Sequence, residues 1–129
     1  MPDYRIDPFP PEIAMRGLWR RAWGEEGPER FADILERSLV HVGAFEGDEL
    51  IGFVNVAWDG GQHAFLLDTC VLPVFRRRGV ATKLVNLATD AARSRGVTWL
   101  HVDFEPHLTA FYRVCGFSAT AAGLIRLKG

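Results

Sequence analysis

The sequence lacks any apolar run approaching the ~20 residues that a membrane-spanning helix needs. Cysteine is scarce. The two present, Cys70 and Cys115, have no metal-ligand spacing, which excludes a zinc finger and a disulfide scaffold. They are expected to be free thiols of a cytoplasmic protein, with no metal bound. Excess charge is missing too: the net value is −1, so no broad basic surface marks a nucleic-acid or anionic-membrane partner. There is no internal repeat, low-complexity tract or long linker, so residues 1–129 are expected to fold as one domain. The segment Met1–Pro11 is acidic and proline-rich, without the basic-then-apolar order of a secretory signal.

What is present is enough apolar sequence for a core, arranged in changing periods. Tyr4–Ile6 reads as a short edge strand ahead of Pro8, Pro10 and Pro11. Met15, Leu18, Trp19, Ala22 and Trp23 recur at helical spacing over 12–23, and a second helix follows Pro28 with Phe31, Ile34 and Leu35 inward. The period then shortens. Val40–Phe45 and Leu50–Trp58 read as strands joined at Gly47-Asp48, with a second turn at Asp59-Gly60-Gly61. Ala64–Leu72 is nearly all apolar apart from Asp68 and Thr69, the pattern of a central strand covered on both faces. A helix from about Val80 to Arg95, a strand over 98–104, a short helix over 107–114 and a last strand within 117–127 complete the order. This is an α/β pattern: a mixed, mostly antiparallel sheet flanked by about four helices.

The densest positive tract, Arg76-Arg77-Arg78, lies between a strand end and a helix start. The opening turn of a helix has amide hydrogens without intrahelical partners and a partial positive charge. Gly79 lets an anion approach that backbone, and three guanidinium groups beside it suit a polyanion such as a diphosphate. Solvated surface charge is the alternative. Cations oppose the dipole at a helix N-terminus, however, and a bound anion resolves the conflict.

Val71-x-Pro73 followed by Arg76-x-x-Gly79-x-Ala81 resembles the coenzyme A signature of the GNAT N-acetyltransferase superfamily, an Arg/Gln-x-x-Gly-x-Gly/Ala turn between the fourth strand and third helix. Phe111-Tyr112-Arg113-Val114-Cys115-Gly116-Phe117 is similar to its Leu-Tyr-x-x-x-Gly-Phe segment. The resemblance covers the chain from about residue 12 and implies an acetyl-CoA-dependent N-acetyltransferase. It implies that the amides of Arg77, Arg78, Gly79, Val80 and Ala81, with Arg76 and Thr82, hold the pyrophosphate. Main-chain groups near Cys70 and Val71 would pair with the pantetheine arm in a gap between the fourth and fifth strands. Tyr112 would lie near the sulfur and protonate the departing thiolate.

Direct transfer needs a neutral amine, hence a base. His101, Asp103 and Glu105 alternate and share a face if their strand stays regular, which makes His101 the first candidate. Asp68 is the second. Glu105 stands where many relatives have an asparagine. The chain after Gly116 has room for one long strand or a very short hairpin, and an exposed apolar edge there favours a homodimer. Trp19, Trp23, Trp58, His63, Glu25 and Glu26 fall where the superfamily shapes its acceptor site, although Trp19 and Trp23 also read as core. The acceptor would be a small-molecule or peptide amine. A non-catalytic acyl-CoA sensor and an RNA-binding module remain open alternatives.

Overall fold

The computed structural model describes residues 1–129. Five strands form one sheet in sequential order: β1 (Asp3–Ile6), β2 (Ser38–Glu46), β3 (Glu49–Trp58), β4 (His63–Val71) and β5 (Trp99–His101). The first four are antiparallel neighbours, and β5 joins β4 in parallel after a helical crossover. The helices are α1 (Glu12–Trp23), α2 (Phe31–Arg37), α3 (Val80–Ser94) and α4 (Thr109–Val114). None is long and apolar enough to cross a membrane.

Alternating strand residues build two layers on one sheet. Val54, Val56, Leu66 and Ala64 are buried, and Val80, Leu84, Val85 and Ala88 of α3 join them in the core. Contact there is so close that a Cβ on Gly52 would meet the Leu84 side chain at 3.1 Å and the Cys70 carbonyl at 3.3 Å. Glycine at this position therefore sets how near the start of α3 can come to β3 and β4. On the opposite face Trp19 of α1 packs edge-on against Phe31 and Phe53.

The connection between α1 and α2 is strapped down. Glu12 accepts hydrogen bonds from the amides of Phe31 and Ala32, both 2.8 Å, so a carboxylate of α1 serves the free amides that open α2. Arg16 donates to the carbonyls of Glu26, Pro28 and Glu29 at 2.7, 2.9 and 3.1 Å. The loop from Gly24 to Arg30 is thereby tied to the body of α1.

Three sequence expectations need correction. The strand after Thr98 stops at His101, so His101, Asp103 and Glu105 do not share a strand face. One face of β4 is open: Phe65 and Leu67 are each 40% exposed, because α2 packs on β2 and β3 and α1 lies mainly on β3, reaching only part of β4. Residues 118–129 form no strand and leave Leu124, Ile125 and Leu127 at least 82% exposed. An apolar segment becomes a strand only where an edge is in reach, and this one has no backbone partner.

The N-terminal strand is locked by a buried imidazole. His41 Nε2 accepts from the Phe9 amide at 3.0 Å, which leaves the proton on Nδ1. Nδ1 lies 3.3 Å from the Asp7 carboxylate, out of line for a hydrogen bond, and Asp7 also pairs with Arg95 at 2.8 Å. Burial lowers the His41 pKa; Asp7 opposes that shift and Arg95 adds to it. The unfolded chain then takes up this proton more readily than the folded one. Stability is full above the ordinary imidazole value of about 6.5 and falls as pH drops below it. Melting temperature should decline through that window, and His41→Gln should flatten the decline. An unchanged slope in the variant would remove His41 as its source.

Candidate active site

β4 and β5 pair only from His63–Phe65 to Trp99–His101. Beyond Phe65, β4 continues to Val71 while the other chain turns away after His101, so the sheet splits. Within the split, β4 carries a bulge. Phe53 opposes Cys70 and Asn55 opposes Leu67, so Asp68 and Thr69 share the place opposite Val54. Asp68 adopts a φ of +61° there, uncommon for a residue with a side chain. A cleft of about 360 Å³ opens beside this segment, walled by Thr69, Cys70, Val71, Trp23 and Phe111, with Arg77, Gly79, Ala81 and Thr82 at one end.

That end is a turn made for an anion. Pro73–Phe75 form a short 3-10 turn, Arg77 follows at φ +63° and Gly79 at φ +79°, and α3 begins at Val80. No side chain caps the helix. The amides of Arg77, Arg78, Gly79, Val80, Ala81 and Thr82 donate to no protein acceptor, and the first bond of the helix comes from Lys83 to the Gly79 carbonyl at 3.0 Å. Successive amides with left-handed residues among them form a concavity for phosphate oxygens. A Cβ at Gly79 would meet nothing within 4 Å, so the space in front of it is open. The residues therefore fit a diphosphate.

The three arginines divide. Arg76 is bound to the protein, its Nε on the Val71 carbonyl and its Nη2 on that of Ala22, each 3.1 Å. Arg78 lies over the Phe75 ring, 5.5 Å from its centroid. Arg77 makes neither kind of contact and lines the cleft.

Titratable groups around the split differ sharply. Asp68 is half-buried and adjoins the cleft wall at Thr69 without lining it; no side-chain hydrogen bond holds its carboxyl, and burial raises its pKa. Cys70 is pushed up to about 12, mostly by burial and further by Asp68, against a smaller effect of Arg76. Tyr112 is buried on α4, its ring stacked on Phe104 at 4.7 Å and edge-on to Phe111 and Phe117. Burial raises its phenol, and the Thr69 hydroxyl across the split offsets part of the rise. Val80 and Val71 are buried with their side chains in the core, so only their backbones can serve a ligand. No group of three or more His, Cys, Asp or Glu is placed to hold a metal.

The family model described as the acetyltransferase (GNAT) family matches residues 7–117. The chain belongs to the GNAT acetyltransferase family. Solved structures agree on the fold. A probable acetyltransferase of unknown function from meticillin-resistant Staphylococcus aureus superposes with a TM-score of 0.84 at 19% identity, with all of both chains covered. The aminoglycoside N-acetyltransferase AAC(6')-Iy, solved with CoA and with a bisubstrate analog, reaches 0.75 at 26% identity over 100% of this chain and 99% of that one. The ribosomal-protein-S18-alanine N-acetyltransferase of Escherichia coli reaches 0.79 at 21% identity, covering 94% and 80%. No curated protein matches the sequence significantly.

In this GNAT protein the cofactor candidates Cys70, Val71, Arg76, Arg77, Gly79, Val80, Ala81 and Thr82 border one cleft; Arg78 does not line it, and Tyr112 packs against Phe111 without lining it. His101 lies apart. Its backbone pairs with Phe65, four residues before Thr69, and its Nε2 sits 2.8 Å from His63 Nδ1 while its ring stacks on Phe65. Glu105 is exposed and pairs with His107 at 3.5 Å. Trp58, exposed at the end of β3, lines no part of the cleft. Sequence reading treated Trp23 mainly as core, yet it walls the cleft, held edge-on to Trp19 at 4.8 Å. Its place at the end of the apolar stripe, beside Gly24, was the available signal. Thr69 was visible only as a polar break in β4.

Proposed function

We propose that the protein is an acetyl-CoA-dependent N-acetyltransferase that moves the acetyl group to a primary amine by direct attack. The observation behind this reading is the run of six unpartnered amides, Arg77 to Thr82, opening onto the cleft beside the split in the sheet. The amides would hold the pyrophosphate, with Arg77 and Arg78 adding positive charge. The β4 backbone at Thr69–Val71, left without a strand partner on the side of the split, would pair with the pantetheine arm.

Asp68 is the base this reading assigns, ahead of His101. Its carboxyl has no competing partner, lies in the split strand, and has a raised proton affinity, which brings it nearer to that of an amine at work. The neutral amine attacks the thioester carbon as its proton passes to Asp68. Tyr112 then supplies a proton to the thiolate as the carbon–sulfur bond breaks and regains one from solvent. A covalent acyl-cysteine route has little support: Cys70 borders the cleft, but a thiol held near 12 is not a nucleophile at neutral pH.

The acceptor is read as a small molecule or a peptide amine, in keeping with relatives that act on an aminoglycoside and on the alanine of a ribosomal protein. A thiol-release screen over amines, polyamines, aminoglycosides and peptide N-termini tests the reading. Binding of coenzyme A with no thiol release on any amine would favour a non-catalytic sensor. Tyr112→Phe is expected to lower turnover by about tenfold to 100-fold, the lower range of proton-transfer effects, with cofactor affinity little changed. Unchanged turnover would remove Tyr112 from the chemistry.

The reading includes a homodimer closed at the β5 edge. Trp99 is 60% exposed beside a free strand edge, and the apolar segment around Leu124–Leu127 is unpaired. Light scattering that reports a monomer would contradict it.

A further inference from the structure

We infer that Arg76 is a positioning residue that couples the diphosphate turn to the acceptor side of the cleft, rather than a phosphate ligand. The inference rests on the cofactor reading above. Two of its N–H groups, on Nε and Nη2, are given to carbonyls from different elements: Val71 at the end of β4, and Ala22 in the last turn of α1, which fixes the plane of the guanidinium. The Ala22 carbonyl is one of those a helix leaves without an intrahelical partner, at its negative end. A guanidinium is a rigid planar fork, so two acceptors held by one fork keep a fixed separation. The fork thus joins strand end to helix end, with Arg76 and Ala22 54 residues apart in sequence.

What lies on either side gives the link its consequence. On the chain, Arg76 directly precedes Arg77, the left-handed residue whose amide opens the unpartnered run. In space, Ala22 directly precedes Trp23, a wall of the cleft, and Gly24, where the loop toward α2 begins. That loop is not an independent flap. Arg16 holds three of its carbonyls and Glu12 holds the first amides of α2, so it moves with α1. Fixing the turn with a diphosphate fixes the backbone that carries Arg76, and the fork passes this restraint to the end of α1, Trp23 and the loop. A bound cofactor would then order the acceptor side, an energetic coupling between two sites.

Amide hydrogen exchange with coenzyme A as the probe tests this without an identified acceptor. In the wild-type protein, saturating coenzyme A should protect residues 76–82 and also residues 20–30. Arg76→Gln should bind coenzyme A with an affinity near that of the wild type and still protect 76–82, while losing the protection over 20–30. Arg76→Lys, which offers one ammonium in place of the fork, should behave alike and serves if the glutamine variant folds poorly. Retained protection over 20–30 in these variants, or its absence in the wild type despite protection at 76–82, overturns the coupling. A loss of coenzyme A affinity by about tenfold or more, the size of a charge-assisted hydrogen bond, makes Arg76 a ligand instead and overturns it too. Absence of protection anywhere in the wild type defeats the cofactor reading itself.

Discussion

Gly79→Asp is expected to weaken acetyl-CoA binding by about 100-fold or more while the protein stays folded. The expectation has two parts. The Cβ has room, since nothing lies within 4 Å of where it would be built. The φ of +79° costs a non-glycine residue about 1–2 kcal/mol, and aspartate is among the side chains that tolerate it best. A domain of this size can absorb that. Binding is different, because the new carboxylate stands in front of the amides that would receive the pyrophosphate. Each charge-assisted hydrogen bond lost costs about 1.5–3 kcal/mol, and repulsion between anions adds to it. Calorimetric titration against Gly79→Ala, which carries the strain without the charge, separates the parts. Equal affinities for the alanine and aspartate variants would mean that no phosphate sits there.

Asp68→Asn should lower turnover by about 100-fold or more and raise the melting temperature at neutral pH. Loss of a positioned base removes a factor of this order. Burial raises the Asp68 pKa above the unfolded value, so the folded state binds the proton more tightly and the ionised carboxylate opposes folding. That penalty is absent below the unfolded value of about 3.9, grows as pH rises toward the folded pKa, and is complete above it. Asparagine has no charge to desolvate and accepts the φ of +61° well. Stability should rise where activity falls, and the two melting curves should converge in acid. The acid limb of the wild-type pH–rate profile should lie above the ordinary carboxylate range and vanish in the variant. Undiminished turnover in Asp68→Asn, measured with the best amine of the screen, would return the assignment to His101.

Local pattern made much of this legible. The helical recurrence from Met15 to Trp23 and from Val80 to Ala91, the paired strands around Gly47, and the glycine at 79 are short-range features, and each stands where sequence placed it. Residues that depend on distant partners did not show themselves. Whether His101, Asp103 and Glu105 share a face depends on how far β5 follows β4, and that pairing ends at His101. The bulge at Asp68 arises from register with β3, which one strand's sequence does not encode. Arg76 looks like part of an anion-binding tract until the carbonyls of Val71 and Ala22 are seen to hold it. Trp23 obeys the helical stripe yet ends at the cleft, because α1 stops where the sheet divides.

The decisive measurement is an amide-resolved NMR titration with coenzyme A. The nitrogens of residues 77–82 have no acceptor within the protein, so their resonances should move most, with a stoichiometry of one ligand per chain. Ligand binding that shifts other residues and leaves these six in place would contradict the account, whatever activity the protein shows.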